Sequence, residues 1–176
     1  MPVRRSLTPL RRSALLLGAA AVVLSCRESG PVGPHDAGTA LLGRVASSPG
    51  GLLRCRPLAY DSVTQMVGPA GGMLRVSRHV LNIPGGALTK RVAITLVAPS
   101  DSVNRIRFGP EGLVFQKPVA LTMSYTNCDL DGSKARRVAY TTDSLVIVEY
   151  EPSVDDVVGK KVTGELSHFS GYAVSW

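Results

Sequence analysis

The sequence lacks three features that would have pointed to common classes of protein. Its main apolar run, residues 13–24, is shorter than the roughly 18 to 20 residues that a helix needs to cross a hydrocarbon core. After that run, no window of about a dozen residues places apolar side chains at helical spacing without a Gly or Pro inside it. Motifs for serine hydrolases, zinc proteases, phosphate loops and dinucleotide binding are absent. These absences exclude a membrane-spanning helix, a helical domain and the enzymes that those motifs define.

Residues 1–25 have the layout of a bacterial export signal. Four arginines and no acidic residue precede the apolar run, and a basic segment followed by a short apolar one is typical of a secretory signal. Residues 23–26, VLSC, resemble the lipobox of bacterial lipoproteins, in which the cysteine is acylated and the signal is removed in front of it. Leu24 is bulkier than the residue usual at its position. We predict lipidation of Cys26, and the alternative is a plain signal with a chance cysteine.

The charge of the chain does not point to nucleic acid. The whole sequence carries a formal charge of +7 at pH 7, and removal of the signal with its four arginines leaves +3. Such a mildly basic surface is a weak match for a phosphate backbone. The predicted partners are therefore the membrane, through the lipid on Cys26, and an unidentified protein or envelope component. Because Arg27 and not Asp follows that cysteine, we expect an outer-membrane location, facing either the periplasm or the outside.

Residues 26–54 are predicted to form a flexible linker that starts at the lipidated cysteine. The stretch is dense in Gly, Pro, Ser and Ala and shows neither strand nor helix periodicity. It cannot bury enough apolar surface to offset the entropy lost on ordering the chain. The predicted organisation is a signal over 1–25, a linker over 26–54 and one folded domain over 55–176.

The sequence contains three cysteines. With Cys26 assigned to the lipid, Cys55 and Cys128 are the remaining thiols in an exported, oxidising compartment, where disulfides persist. We predict that these two pair. The alternative is free thiols or a metal role, although two widely separated cysteines without nearby histidines lack the spacing of a zinc site. No cofactor or metal site is predicted.

From Cys55 onward the pattern predicts β-strands. In residues 119–125, VALTMSY, large apolar side chains alternate with small or polar ones, which is the period of a strand with one buried face. Similar short runs, several of which end at Pro, are MLRVS, HVLNIP, RVAITLVAP, NRIRFGP, LVFQKP, RRVAYTT, SLVIVEYEP and GKKVTGELSHFSGYAVSW. About eight or nine short strands with little helical signal predict an all-β fold, a single antiparallel β-sandwich, with a barrel-like Greek key as the alternative.

Residues 68–96 and 109–125 share a pattern of turn residues and apolar strand positions, which consists of Gly71, Gly72, Leu74, Ile83, Pro84, Gly86, Ala87, Leu88, Ile94, Thr95, Pro110, Gly112, Phe115, Pro118, Val119 and Leu121. The glycines and prolines suit tight turns. The pattern resembles the ZU-5 domain of zonula occludens proteins, Unc-5-type netrin receptors and ankyrins. That family is a β-sandwich that serves protein contacts, so the resemblance implies binding or spacing rather than turnover.

The triplet His168, Phe169 and Ser170 has two interpretations. In a death-domain adaptor that carries ZU-5 domains, and in a nucleoporin of another fold, a His-Phe-Ser triplet is cut by the protein itself. By that resemblance, the Ser170 hydroxyl would attack the Phe169 carbonyl with His168 as the base, and water would hydrolyse the resulting ester. The reaction needs a strained peptide bond and donors for the oxyanion.

Strand periodicity favours the second interpretation, in which the triplet lies inside the last β-strand. His168, Ser170 and Tyr172 share one parity in an unbroken closing strand, whereas a bulge at Gly171 would turn Phe169 inward and kink the bond. The favoured prediction is a packed closing strand in a non-enzymatic protein. Cleavage of the chain between Phe169 and Ser170 is the alternative.

Two other candidates have weaker patterns. Residues 153–156, SVDD, are predicted to form a solvated turn rather than a pair of carboxylates for acid/base catalysis. His79 lies in a strand-like run with no second histidine at the spacing of a metal site.

Overall fold

The computed structural model describes residues 51–130 and 134–176. Within these ranges, no helix is long and apolar enough to span a membrane. The predicted signal, Cys26 and the linker up to residue 50 lie outside the described residues. The described chain forms eleven strands: β1 Asp61–Val67, β2 Gly72–Val76, β3 His79–Ile83, β4 Val92–Ala98, β5 Arg105–Gly109, β6 Val114–Ser124, β7 Arg137–Thr141, β8 Ile147–Tyr150, β9 Ser153–Asp156, β10 Lys161–His168 and β11 Gly171–Ser175.

The strands form two sheets that pack face to face. Six strands lie in the order β1-β4-β5-β11-β7-β8, and five lie in the order β2-β3-β6-β10-β9. Neighbouring strands pair antiparallel in both sheets. The predicted antiparallel β-sandwich is confirmed. The consecutive strands β8 and β9 are edge strands of different sheets, as are β1 and β2, and the chain also changes sheet between inner strands, as from β10 to β11.

Alternation of side chains along the strands builds the core. In β4, Ile94, Leu96 and Ala98 are buried while the residues between them are more exposed. This is the pattern of a strand with one face toward an opposing sheet. Burial of each large aliphatic side chain contributes about 1.5 to 3 kcal/mol, so the space between the sheets is the main source of stability.

The structure corrects several of the predicted strands. β1 was not predicted, and the predicted turn at 153–156 is the edge strand β9. The runs LVFQKP and VALTMSY join in one strand, β6, which continues through Pro118. The last run is instead divided into β10 and β11, which belong to different sheets.

The folded domain begins before Cys55, where the linker was predicted to end. Leu52 and Leu53 are buried, and adjacent residues of an extended chain point to opposite sides. Leu53 packs in the core between the sheets, and Leu52 packs in a smaller cluster. The Leu53 N–H donates to the Val174 carbonyl at 2.8 Å, and Leu52 pairs with Ser175. These contacts join the start of the domain to its last strand.

Cys55 and Cys128 form the predicted disulfide. The two residues lie opposite each other in an isolated antiparallel bridge. The bond spans 73 positions and encloses β1 to β6. The Asn104 amide nitrogen lies 3.5 Å from Cys128 Sγ, which places β5 beside the cross-link.

Loss of the disulfide is expected to lower the free energy of unfolding by about 4 kcal/mol, because closure of so long a loop removes conformational entropy from the unfolded chain. Urea unfolding of the Cys55→Ser/Cys128→Ser double variant measures this change against the oxidised parent. An unchanged midpoint would contradict the expectation. As a control on the bond itself, both cysteines of the parent should react with an alkylating agent only after reduction.

Candidate functional site

The triplet His168, Phe169 and Ser170 lies where the chain crosses from one sheet to the other. His168 ends β10 and Gly171 begins β11, so Phe169 and Ser170 connect the two sheets. The predicted unbroken closing strand is therefore wrong. The irregularity in pairing is also not at Gly171, because the register of β10 against β6 shifts between Leu166 and His168.

Pro118 explains why the pairing is irregular here. Leu166 pairs with Val119 of β6, but the next pair joins His168 to Val114. Pro118 lies between these two partners in β6. Because proline has no N–H to donate to the ladder, regular pairing stops opposite it. Pairing resumes at His168, where β10 ends and the chain turns toward the other sheet.

Phe169 anchors this crossing in the core. Its ring is fully buried and stacks on Phe108 of the six-stranded sheet, with the ring centroids 4.6 Å apart. It also meets Phe115 of the five-stranded sheet edge to face at 4.9 Å. Aromatic pairs of this geometry add about 0.5 to 1.5 kcal/mol beyond area burial. One side chain thus contacts both sheets at the point where the chain passes between them.

Two backbone hydrogen bonds hold the Phe169 residue against the loop before β6. The Phe169 N–H donates to the Leu113 carbonyl at 2.8 Å, and the Phe169 carbonyl accepts from the Gly112 N–H at 3.0 Å. Gly112 has a φ of +73°, a conformation that glycine adopts without steric cost. A donor on this carbonyl is one of the parts that an acyl shift would use.

The side chains of His168 and Ser170 are not joined by the hydrogen bond expected of a base and its nucleophile. His168 Nδ1 lies 3.3 Å from Ser167 Oγ, and the Ser170 hydroxyl makes no hydrogen bond to another described residue. Neither Phe169 nor Ser170 is among the described non-glycine residues with a positive φ, which are Ser77, Leu145 and Lys160. The structure therefore does not pair the Ser170 hydroxyl, the candidate nucleophile, with His168 as its base.

A cluster of carboxylates and aromatic rings lies beside the crossing. We call it the Glu151 cluster, and its members are Tyr140, Glu149, Glu151, His168 and Tyr172. Tyr140 lies directly opposite Tyr172 on one neighbouring strand and Glu149 on the other, so these three side chains share one face of the sheet. The His168 ring is 5.2 Å from the Tyr140 ring and 6.2 Å from the Tyr172 ring.

Glu151 is a buried residue whose carboxylate has no partner in this cluster. The residue is 7% exposed, and its carboxylate forms no hydrogen bond or ion pair with a described residue. Burial, and then the charge of Glu149, raises the pKa of Glu151. Burial, and then the charge of Glu151, raises the pKa of the Tyr172 hydroxyl, which donates to the His168 carbonyl at 2.8 Å. Perturbed, unpaired buried acids are candidates for functional groups.

The sequence pattern alone did not single out the Glu151 cluster. Glu149 and Glu151 were included in a predicted strand, and their aromatic neighbours come from β7, β10 and β11. One signal was available: two glutamates at i and i+2 place both carboxylates on the same face of an extended chain. Recognising the face as an inner one required the sheet order.

The two remaining candidates are Asp155, from residues 153–156, and His79. The Asp155 carboxylate accepts hydrogen bonds from the Tyr125 hydroxyl at 2.6 Å and from the backbone N–H of Arg136 at 2.8 Å. His79 is buried, and burial, followed by the charge of Arg78, lowers its pKa to about 4, so its ring is neutral at pH 7. Within residues 51–130 and 134–176, no group of three or more His, Cys, Asp or Glu residues is placed to hold a metal ion.

No protein-family model matches the sequence, and no curated protein matches it either. The resemblance to the ZU-5 domain therefore stays a prediction from the residues that carry it. The function is therefore inferred from three features of the structure: the crossing at Phe169, the Glu151 cluster and the exposed strand edges.

The full chain is expected to keep residues 170–176. The Ser170 hydroxyl has no base bound to it, and φ is unstrained on both sides of the bond to Phe169, so an acyl shift lacks its activated nucleophile and its strain. Intact-mass spectrometry under denaturing conditions should show a single uncleaved C-terminus. Loss of residues 170–176 that Ser170→Ala abolishes, and that the matched variant Ser167→Ala does not, would contradict this expectation.

Proposed function

We propose that this protein is a lipid-anchored component of the bacterial cell envelope whose β-sandwich is a non-enzymatic, protein-binding or structural module. One observation supports the binding role: exposed apolar side chains are concentrated on two consecutive edge strands and the residues that flank them. We call this region the β8–β9 surface, and it consists of Val146, Val148, Tyr150, Val154, Val157 and Val158.

The β8–β9 surface combines exposed apolar side chains with open strand edges. β8 is an edge of one sheet and β9 is an edge of the other. An edge strand has N–H and C=O groups that a further strand can bond, and addition of a strand is a recurring way to bind an extended peptide. Val154 is 75% exposed and Val158 is 96% exposed, so both are accessible to such a partner.

The anchoring part of the proposal rests on the sequence. The basic segment, the apolar run and VLSC at 23–26 support a lipid on Cys26, and Arg27 supports the outer membrane as its location. A Gly- and Pro-rich linker before residue 51 would hold the domain away from the lipid headgroups. The ZU-5 resemblance supports protein contacts as the role of the domain.

A second candidate function is self-processing between Phe169 and Ser170, with Ser170 as nucleophile and His168 as base. A single observation favours it: the Gly112 N–H already donates to the Phe169 carbonyl at 3.0 Å, where negative charge would develop. The reaction would further require Ser170 to reach His168. The mass measurement described above separates this function from the binding module.

Capture of proteins from the envelope fraction tests the binding role. The Val148→Lys/Val154→Lys double variant should recover at least about tenfold less partner than the parent, because lysines in an apolar contact lose their hydration. Met66→Lys/Met73→Lys is the matched control, since these methionines are 51% and 53% exposed on the edge strands β1 and β2. Equal recovery with both double variants, or no partner with the parent, would contradict the proposal.

A further inference from the structure

The Glu151 cluster adjoins the β8–β9 surface. Glu149 lies in β8, and Glu151 lies in the connection to β9. The side chain of Tyr150, between them, points to the opposite face, where the Arg137 guanidinium lies 4.0 Å from its ring. Because side chains alternate along an extended chain, both glutamates lie on the face of Tyr140, with Glu149 exposed at the sheet edge and opposite Tyr140.

The described chain supplies no cation to these two glutamates. The ion pair found among residues 51–130 and 134–176 joins Arg105 and Asp101 at 2.7 Å, and it lies in and before β5. Burial disfavours the ionised form of the Glu151 carboxyl, and the charge of Glu149 two residues away adds repulsion. A cation that binds between Glu149 and Glu151 would remove both penalties.

We propose that the Glu151 cluster receives the guanidinium group of an arginine from the protein partner that contacts β8. This inference rests on the proposed binding function and specifies the chemistry of the partner. A guanidinium group pairs with carboxylates through parallel hydrogen bonds and stacks on aromatic rings. Glu149 and Glu151 supply the carboxylates, and the half-buried side chains of Tyr140 and His168 supply accessible rings that meet at an interplanar angle of 88°.

The aromatic part of the cluster distinguishes arginine from other cations. The Tyr172 ring is fully buried and packs against both Tyr140 and His168, so it holds the two accessible rings in place. A flat, weakly hydrated guanidinium gains from such ring faces, whereas a compact and strongly hydrated ammonium gains less. The partner segment is therefore an extended peptide that carries an arginine flanked by apolar residues, which match the valines of β8 and β9.

A small arginine probe tests this inference on the full chain in detergent micelles. N-acetyl-arginine amide should shift the NMR signals of the Glu149 and Glu151 carboxyl carbons saturably, and the neutral isostere N-acetyl-citrulline amide should not. Glu151→Gln should weaken probe binding by about tenfold or more. Glu165→Gln, which changes an exposed glutamate on β10, should bind like the parent. Equal shifts with citrulline, or unchanged binding in Glu151→Gln, would overturn the inference.

The stability of Glu151→Gln shows whether a loss of binding comes from unfolding. Because the pKa of Glu151 is raised in the folded state, its ionised form destabilises the fold above that pKa, and the effect vanishes below the ordinary pKa of 4.5. The variant should therefore melt at a higher temperature than the parent at pH 7 and at the same temperature below pH 4.5. A folded Glu151→Gln protein that no longer binds the arginine probe supports the inference.

Capture from the envelope fraction separates this inference from the proposed function. If Val148→Lys/Val154→Lys loses the partner while Glu151→Gln retains it at the level of the parent, the binding module stands and the arginine site is wrong. If neither change reduces recovery, both are wrong. Loss of the partner in both variants, with Glu165→Gln unchanged, supports both.

Discussion

Burial of the Phe169 ring is the interaction on which the rest of the structure depends. The ring lies against Phe108 of one sheet and Phe115 of the other, at the residue where the chain passes between them. The Tyr172 hydroxyl bonds back to the His168 carbonyl and closes the crossing from the far side. Because removal of a buried phenylalanine typically costs about 3 to 5 kcal/mol, a large part of the stability of a single domain, this position constrains both sheets.

The same burial changes the meaning of the triplet. Phe169 fills the core here, and Ser170, also buried, leads the chain into β11. The backbone of Phe169 is hydrogen-bonded to residues 112 and 113, as between paired strands. His168, displaced by the register shift opposite Pro118, packs against Tyr140 instead of Ser170. The triplet is thus first a structural junction, and its histidine contributes to a different cluster.

The sequence pattern predicted those strands in which buried and exposed side chains alternate. β4 and most of β6 alternate along their length, and both became core strands. β1 was missed because Val67 is its one fully buried side chain, so an edge strand of this kind shows no period. The register shift near the end of β10 lies opposite Pro118 of β6, which is distant in sequence. The Glu151 cluster was missed for the same reason, because three separate strands supply its rings.

The central claim is that the side of the sandwich formed by β8 and β9 faces a protein partner in the envelope. Site-specific photo-crosslinking in intact cells tests it most directly, with a photoreactive residue in place of Val148 and, as the comparison, of Met73 on the edge strand β2, since both side chains are exposed. We expect a discrete crosslinked adduct from position 148 and none from position 73. Adducts of equal yield from both positions, or from position 73 alone, would contradict the claim.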